Sequence, residues 1–112
     1  MNTTNSTSLP EPVAQYIEAA NRLDAAGATA CFTPDAVVRD EQKDHVGLAA
    51  IERWVSQTGQ AYQPHVTVTS ARTVGATVKL AGQVAGNFAG SPVDLDYDFH
   101  LRDGKIAELT IR

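Results

Sequence analysis

A single cysteine, Cys31, leaves this 112-residue chain without any possible intrachain disulfide. Stability therefore has to come from a packed core, and a reducing compartment suits the chain. Cys31 lies in an alanine-rich helical stretch and reads as a small core residue rather than a nucleophile. No apolar run approaches the roughly 20 residues a membrane helix needs. Basic residues are outnumbered by acidic ones, nine to thirteen, for a formal net charge of −4. With no basic cluster and no aromatic ladder to offset that balance, neither nucleic acid nor an anionic membrane surface is expected as a partner. A nucleophile elbow, a phosphate loop and a dinucleotide fingerprint are all missing, so no cofactor is implied. The opening MNTTNSTSLPEP has neither the basic start nor the apolar stretch of a secretion signal. It reads as a disordered tail over residues 1–11, and a cytoplasmic protein is the expectation. The N-x-T patterns at Asn2 and Asn5 would matter only in a secreted eukaryotic protein.

What is present suits one globular domain over residues 12–112, with 43% hydrophobic and 20% charged residues. Val13, Tyr16, Ile17, Ala20 and Leu23 fall on one helical face, and Pro12 fits a first helical turn. A short second helix is expected from about 25 to 32, with Gly27 loosening the junction before it. Thr33-Pro34-Asp35 breaks the helical pattern, and the β-branched stretch 36–40 reads as a strand. A polar turn through Gln42, Lys43 and Asp44 leads to Gly47. A third helix follows, with Leu48, Ile51, Trp54 and Val55 on one face.

From His65 the period changes from helical to alternating. Four strands are expected at about 65–74, 77–88, 93–102 and 105–112, separated by Gly75-Ala76, Gly90-Ser91-Pro92 and the hairpin signal Asp103-Gly104. In the third of them Val93, Leu95, Tyr97, Phe99 and Leu101 alternate with Asp94, Asp96, Asp98, His100 and Arg102, one buried face and one wet face. Connections this short permit only antiparallel neighbours. Helices followed by a meander make an α+β fold. Gly82 and Gly86 share the face of Val78, Leu80, Val84 and Phe88. There they either let the sheet bend around a ligand space or mark a bulge.

Two polar residues stand out. Asp40 shares a strand face with Ala36 and Val38. On that face it would be partly desolvated and usable as a base. If Val37 marks the buried face instead, Asp40 only opens the polar turn. Tyr16 lies on the apolar face of the first helix, either as a core tyrosine or as a donor to an oxyanion in a pocket. The acidic run of the third strand places its side chains at period two, so they spread along the strand rather than converge on a metal. His45 and His65, in or near turns without ligand spacing, read as surface residues.

The stretch YIEAANRLDAAGATACFTPDAVVRDE, residues 16–41, resembles the corresponding part of bacterial ketosteroid isomerases. Tyr16, Asn21, Asp24, Phe32, Asp35, Ala36, Val38 and Asp40 fall in step with that family without a gap. GLAAI at 47–51 is similar to the G-x-A-A-I that opens the family's third helix, and Phe99 and Gly104-Lys105 agree in the last strands. Much of this pattern recurs among SnoaL-like proteins of the nuclear transport factor 2-like superfamily. The resemblance implies an α+β fold in which a curved antiparallel sheet packs against N-terminal helices, forming a cone with an internal pocket. It implies Asp40 as the base and Tyr16 as a donor to a dienolate oxygen. Tyr97 fills the place where the family has a second donor, a carboxylic acid kept protonated by an apolar site. Val38, Phe99, Trp54 and Phe32 are expected to contact the substrate. The function implied is a cofactor- and metal-independent proton-transfer enzyme, an isomerase like steroid delta-isomerase or a SnoaL-like cyclase, acting on a small apolar carbonyl compound. A non-catalytic binder or accessory protein with the same pocket is the alternative. A structural dimer whose pocket is filled by Trp54, Tyr97 and Phe99 is a third reading. The resemblance also implies a homodimer formed through the wet face of the sheet.

Overall fold

The computed structural model describes residues 9–112. Most of the expected tail, residues 1–8, lies outside the described residues. Helix α1 (Glu11–Asn21) begins inside the expected tail, with proline in its first turn and Glu11 at its positive end. It buries Val13, Tyr16, Ile17 and Ala19. Asp24 caps α2 (Ala25–Thr29) by accepting from the Gly27 N–H at 2.9 Å. This helix stops three residues short of the expected end, because Phe32 already belongs to strand β1 (Phe32–Asp40). Pairing with the last strand accounts for the difference: the Cys31 carbonyl accepts from the Ile106 N–H at 2.8 Å and Phe32 lies opposite Ile106, while Pro34 keeps Thr33 extended. The strand tolerates Pro34 where its ladder is interrupted, between Phe32 and Val37.

At the end of β1, Glu41 and Gln42 both adopt positive φ (54° and 65°) and turn the chain into β2 (Lys43–Val46). The polar turn expected here is thus a two-residue hairpin with a short edge strand. Its residues carry no apolar alternation to announce it. Helix α3 (Leu48–Tyr62) follows Gly47 and buries Ile51, Trp54, Val55 and Gly59, whereas Leu48 is exposed. The chain then forms β3 (His65–Val74), β4 (Thr77–Ala85), β5 (Val93–Arg102) and β6 (Lys105–Ile111). These four run antiparallel in sequence order, and Asp103-Gly104 turns with φ of 54° and 76° as a hairpin dipeptide should.

The sheet corrects the expected architecture. Its order is β2-β1-β6-β5-β4-β3, and β1 lies parallel to β6. The sheet is therefore mixed rather than antiparallel, and it is open, not curled or closed into a cone. Short turns dictate direction only within the meander; β1 and β6 are joined by a connection long enough for a parallel crossover. Closure would require β2 to meet β3, but these are the two outer edges of the order.

The core sits between the helices and one sheet face, around Phe99, Ile51, Ile106, Leu109, Val13, Val38 and Val78. Each of the larger of these side chains contributes about 1.5–3 kcal/mol by leaving water. On β5, Tyr97 and Phe99 point into this core while Asp94, Asp96, His100 and Arg102 face out, as the alternation requires. On the outward side Asp98 meets Arg112 and also Lys79, the latter at 3.6 Å. Gly86 is explained by close approach: a Cβ there would stand 2.5 Å from the Tyr62 carbonyl oxygen. The Asn87 N–H donates to that same oxygen at 2.6 Å, tying the end of α3 to the loop after β4.

Candidate functional site

Strand alternation settles which way Asp40 points. Ala36 and Val38 are fully buried on its face, while Arg39 turns outward to Asp44 and Glu108 at 3.7 and 3.6 Å. Asp40 ends the strand half-buried, facing inward, and its Oδ2 accepts from the Trp54 indole Nε1–H at 3.1 Å. Burial holds its pKa above the ordinary carboxylate value. The Trp54 hydrogen bond opposes that rise, the neighbouring Glu41 charge adds to it, and His45 opposes it.

Tyr16 on α1 and Tyr97 on β5 converge on the same region. Both are buried, and Phe99 lies between them, with ring centroids 5.8 Å from Tyr16 and 6.1 Å from Tyr97. Burial pushes the Tyr16 phenol well above its ordinary value, helped by the proximity of Tyr97 and Asp40. Tyr97 is pushed up to about 12, by burial first and the Asp40 charge second. Among the described residues neither hydroxyl has a hydrogen-bond partner. A buried tyrosine hydroxyl normally has one.

These groups share a cavity of about 420 Å³ between α1, α3 and the inner sheet face. Tyr16, Asp40, Trp54 and Tyr97 all line it. Val38, Phe99 and Phe32, expected at the ligand, do not; they form the packed layer behind it, with Phe32 edge-on to Tyr16 at 5.5 Å. The rest of the wall is mostly apolar, including Val55, Val66, Val84, Phe88 and Leu95. Among the described residues no lysine, arginine or histidine lines it, and Asp40 and Glu41 are its carboxylates.

Several wall residues escaped the sequence reading. Thr58 and Tyr62 continue the face of Trp54 at intervals of four, a helical signal that could have been followed to the end of α3. Asn21 both lines the cavity and clamps α1 to the edge of β3: its Nδ2 donates to the Val66 carbonyl at 3.0 Å and its Oδ1 accepts from the Val66 N–H at 2.8 Å. His45 is not a simple surface residue. The β1–β2 register sets it opposite Val38 on the inward face, half-buried, its ring 5.8 Å from that of Trp54.

A family model for the SnoaL-like domain matches residues 13–109. No curated protein matches the chain. Among solved structures, a candidate polyketide cyclase from Sinorhizobium meliloti is 36% identical, covers 97% of this chain and 100% of its own, and superposes with a TM-score of 0.92. A protein of ketosteroid isomerase-like fold from Catenulispora acidiphila, in complex with trimethylamine, is 20% identical, with a TM-score of 0.84 over 94% of this chain and 86% of its own. The epoxide hydrolase/cyclase-like enzyme SalBIII, which takes part in pyran ring formation in the polyether salinomycin, is 20% identical. Its TM-score is 0.81, over 90% of this chain and 86% of its own. At 20% identity the last two likenesses concern the fold.

Proposed function

The chain belongs to the SnoaL-like domain family, and on that premise we propose that it is a cofactor-independent proton-transfer enzyme for a small, uncharged carbonyl compound. The observation that carries this reading is the pairing, in one cavity, of a half-buried carboxylate with two buried phenols that have no hydrogen-bond partner among the described residues. A ring-bearing substrate suits the volume and the apolar wall. A free carboxylate or phosphate on the ligand would meet Asp40 and Glu41 with no counter-charge on the wall, so a neutral molecule is favoured.

In the reaction of a β,γ-unsaturated substrate, Asp40 takes a proton from the carbon between the carbonyl and the C=C bond. The C–H electron pair becomes the new C=C bond, and the carbonyl π pair moves onto oxygen. Tyr16 and Tyr97, kept protonated by burial, donate hydrogen bonds to that oxygen as its charge develops. The Asp40 carboxyl then returns the proton to the γ carbon: the oxygen pair re-forms the carbonyl, the enolate pair becomes the α,β double bond, and the former β,γ π pair takes the proton, with no net change of oxidation state. The raised affinity of Asp40 for its proton makes it the stronger base that this step needs.

An oxyanion site should prefer planar phenols, which imitate the dienolate, over neutral ketones of the same shape. Titrating both ligands against wild type, Tyr16→Phe and Tyr97→Phe tests the reading. Preference for phenol in wild type, weakened in each variant, supports it. Equal affinities unchanged in both variants would leave a pocket that binds without transforming.

A further inference from the structure

Asp40 is not held by α3 alone, because β2 closes the same corner from the sheet edge. The hairpin pairs Val38 with His45 and Asp40 with Lys43, so His45 and Asp40 are diagonal neighbours on the inward face. The His45 ring lies 5.8 Å from the Trp54 ring at 31°, and the Trp54 Nε1–H meets Asp40 Oδ2 at 3.1 Å. Three residues from β1, β2 and α3 thus form one contact chain, of which only Asp40 and Trp54 reach the cavity.

We propose that His45 is a positioning residue for the Asp40–Trp54 pair: its ring braces the indole that donates to Asp40, and its proton adds a positive charge beside that carboxylate. An offset ring pair at this separation is attractive, and an imidazolium over an indole face gains a cation–π contribution. The charge matters because the other groups around Asp40 do not supply one inside the pocket. Tyr16 from α1 and Tyr97 from β5 are neutral phenols, Trp54 from α3 is a neutral donor, and Glu41 in the turn is an acid. Lys43 pairs with Asp40 across the hairpin, yet its side chain is exposed. His45 is the group whose positive charge opposes the effect of burial on Asp40. The base would be weaker while His45 carries its proton and stronger once it does not, a coupling that would broaden the acid limb of the pH–rate profile. The catalytic consequence rests on the reading of Asp40 as the base; the contact chain does not.

The test needs no substrate, because Trp54 is the only tryptophan in the chain. Its fluorescence is followed against pH in wild type, His45→Gln and His45→Phe, and the Asp40 carboxyl is titrated by ¹³C NMR in the same three proteins. The expected result is a quenching step in wild type as histidine protonates, lost in both variants, with the Asp40 midpoint moved to higher pH in both. Phe keeps a ring against the indole, so emission should shift to the red in His45→Gln and not in His45→Phe. Survival of the quenching step in either variant, or an unmoved Asp40 midpoint, overturns the charge coupling. Equal emission shifts in both variants, or none in either, overturn the bracing. If Asp40→Asn leaves catalysis intact, the enzyme reading fails while these titrations keep their outcome.

Discussion

The Trp54 indole donates to Asp40 across a 3.1 Å hydrogen bond that joins the last residue of β1 to the middle of α3. It gives a half-buried carboxylate a fixed donor from the helix opposite. A hydrogen bond to a charged group is worth about 1.5–3 kcal/mol, and much less once the acceptor is protonated. Trp54→Phe should therefore destabilise the fold more at pH 7 than at pH 4. The packing loss, which does not depend on pH, cancels in that comparison of urea midpoints. A pH-independent difference would show that the bond contributes nothing at neutral pH.

Burial raises the folded-state pKa of Asp40. Over the window from the unfolded value upward, the folded chain holds a proton that the unfolded chain has released. Stability due to this group is thus full at lower pH, falls as pH rises through the window, and stays low above it. Asp40→Asn removes that fall and keeps an acceptor for Trp54. Chemical denaturation at pH 7 should find the variant as stable as wild type or more so; a clear loss of stability would mark Asp40 as a structural anchor of the Glu41-Gln42 turn.

The phenols act at the other end of the pH scale, with the same sign. Their folded values lie above the ordinary tyrosine value of 10.0, with Tyr97 at about 12. Stability should fall between about pH 10 and 12, by about 3 kcal/mol for Tyr97 alone. Tyr97→Phe should abolish its share of the fall, read from thermal midpoints at pH 8 and pH 11. Identical alkaline losses in wild type and variant would show a phenol that ionises freely.

Asn21 holds α1, and with it Tyr16, against the edge of β3 through its paired bonds to Val66. Asn21→Ala strips partners from a part-buried backbone amide and carbonyl, a loss of about 1–3 kcal/mol. Amide exchange at Val66 should quicken in the variant. Unchanged protection there would mean the helix is held by packing alone.

How much of this was written in the sequence depends on the range of each interaction. The alternation of β5 and the Asp103-Gly104 turn are local signals, and both were legible. So was the inward aim of Asp40, once Ala36 and Val38 are taken as its face. The parallel pairing of β1 with β6 was not, because no short turn ties those strands and the expectation of an antiparallel cone had nothing to correct it. The hairpin at Glu41-Gln42 was hidden for a different reason: its turn residues are not glycine or asparagine, and β2 is polar. Missing β2 also meant missing His45, whose place beside Trp54 exists only through the β1–β2 register. Val38, Phe32 and Phe99 have the right face but sit one layer too deep, a distinction that periodicity cannot draw.

Proton exchange tests Asp40 as the base more directly than turnover, since it requires only the first chemical step. Uncharged cyclic ketones that bind the cavity are incubated with the protein in D₂O, and deuterium at the carbon next to the carbonyl is followed by NMR. Wild type should wash deuterium into that position faster than buffer, Asp40→Asn should lose about 10²–10⁴ of the enzymatic rate, and Tyr16→Phe about 10²–10³. Exchange that survives Asp40→Asn at the wild-type rate, or no exchange above buffer in any ketone that wild type binds, would contradict it.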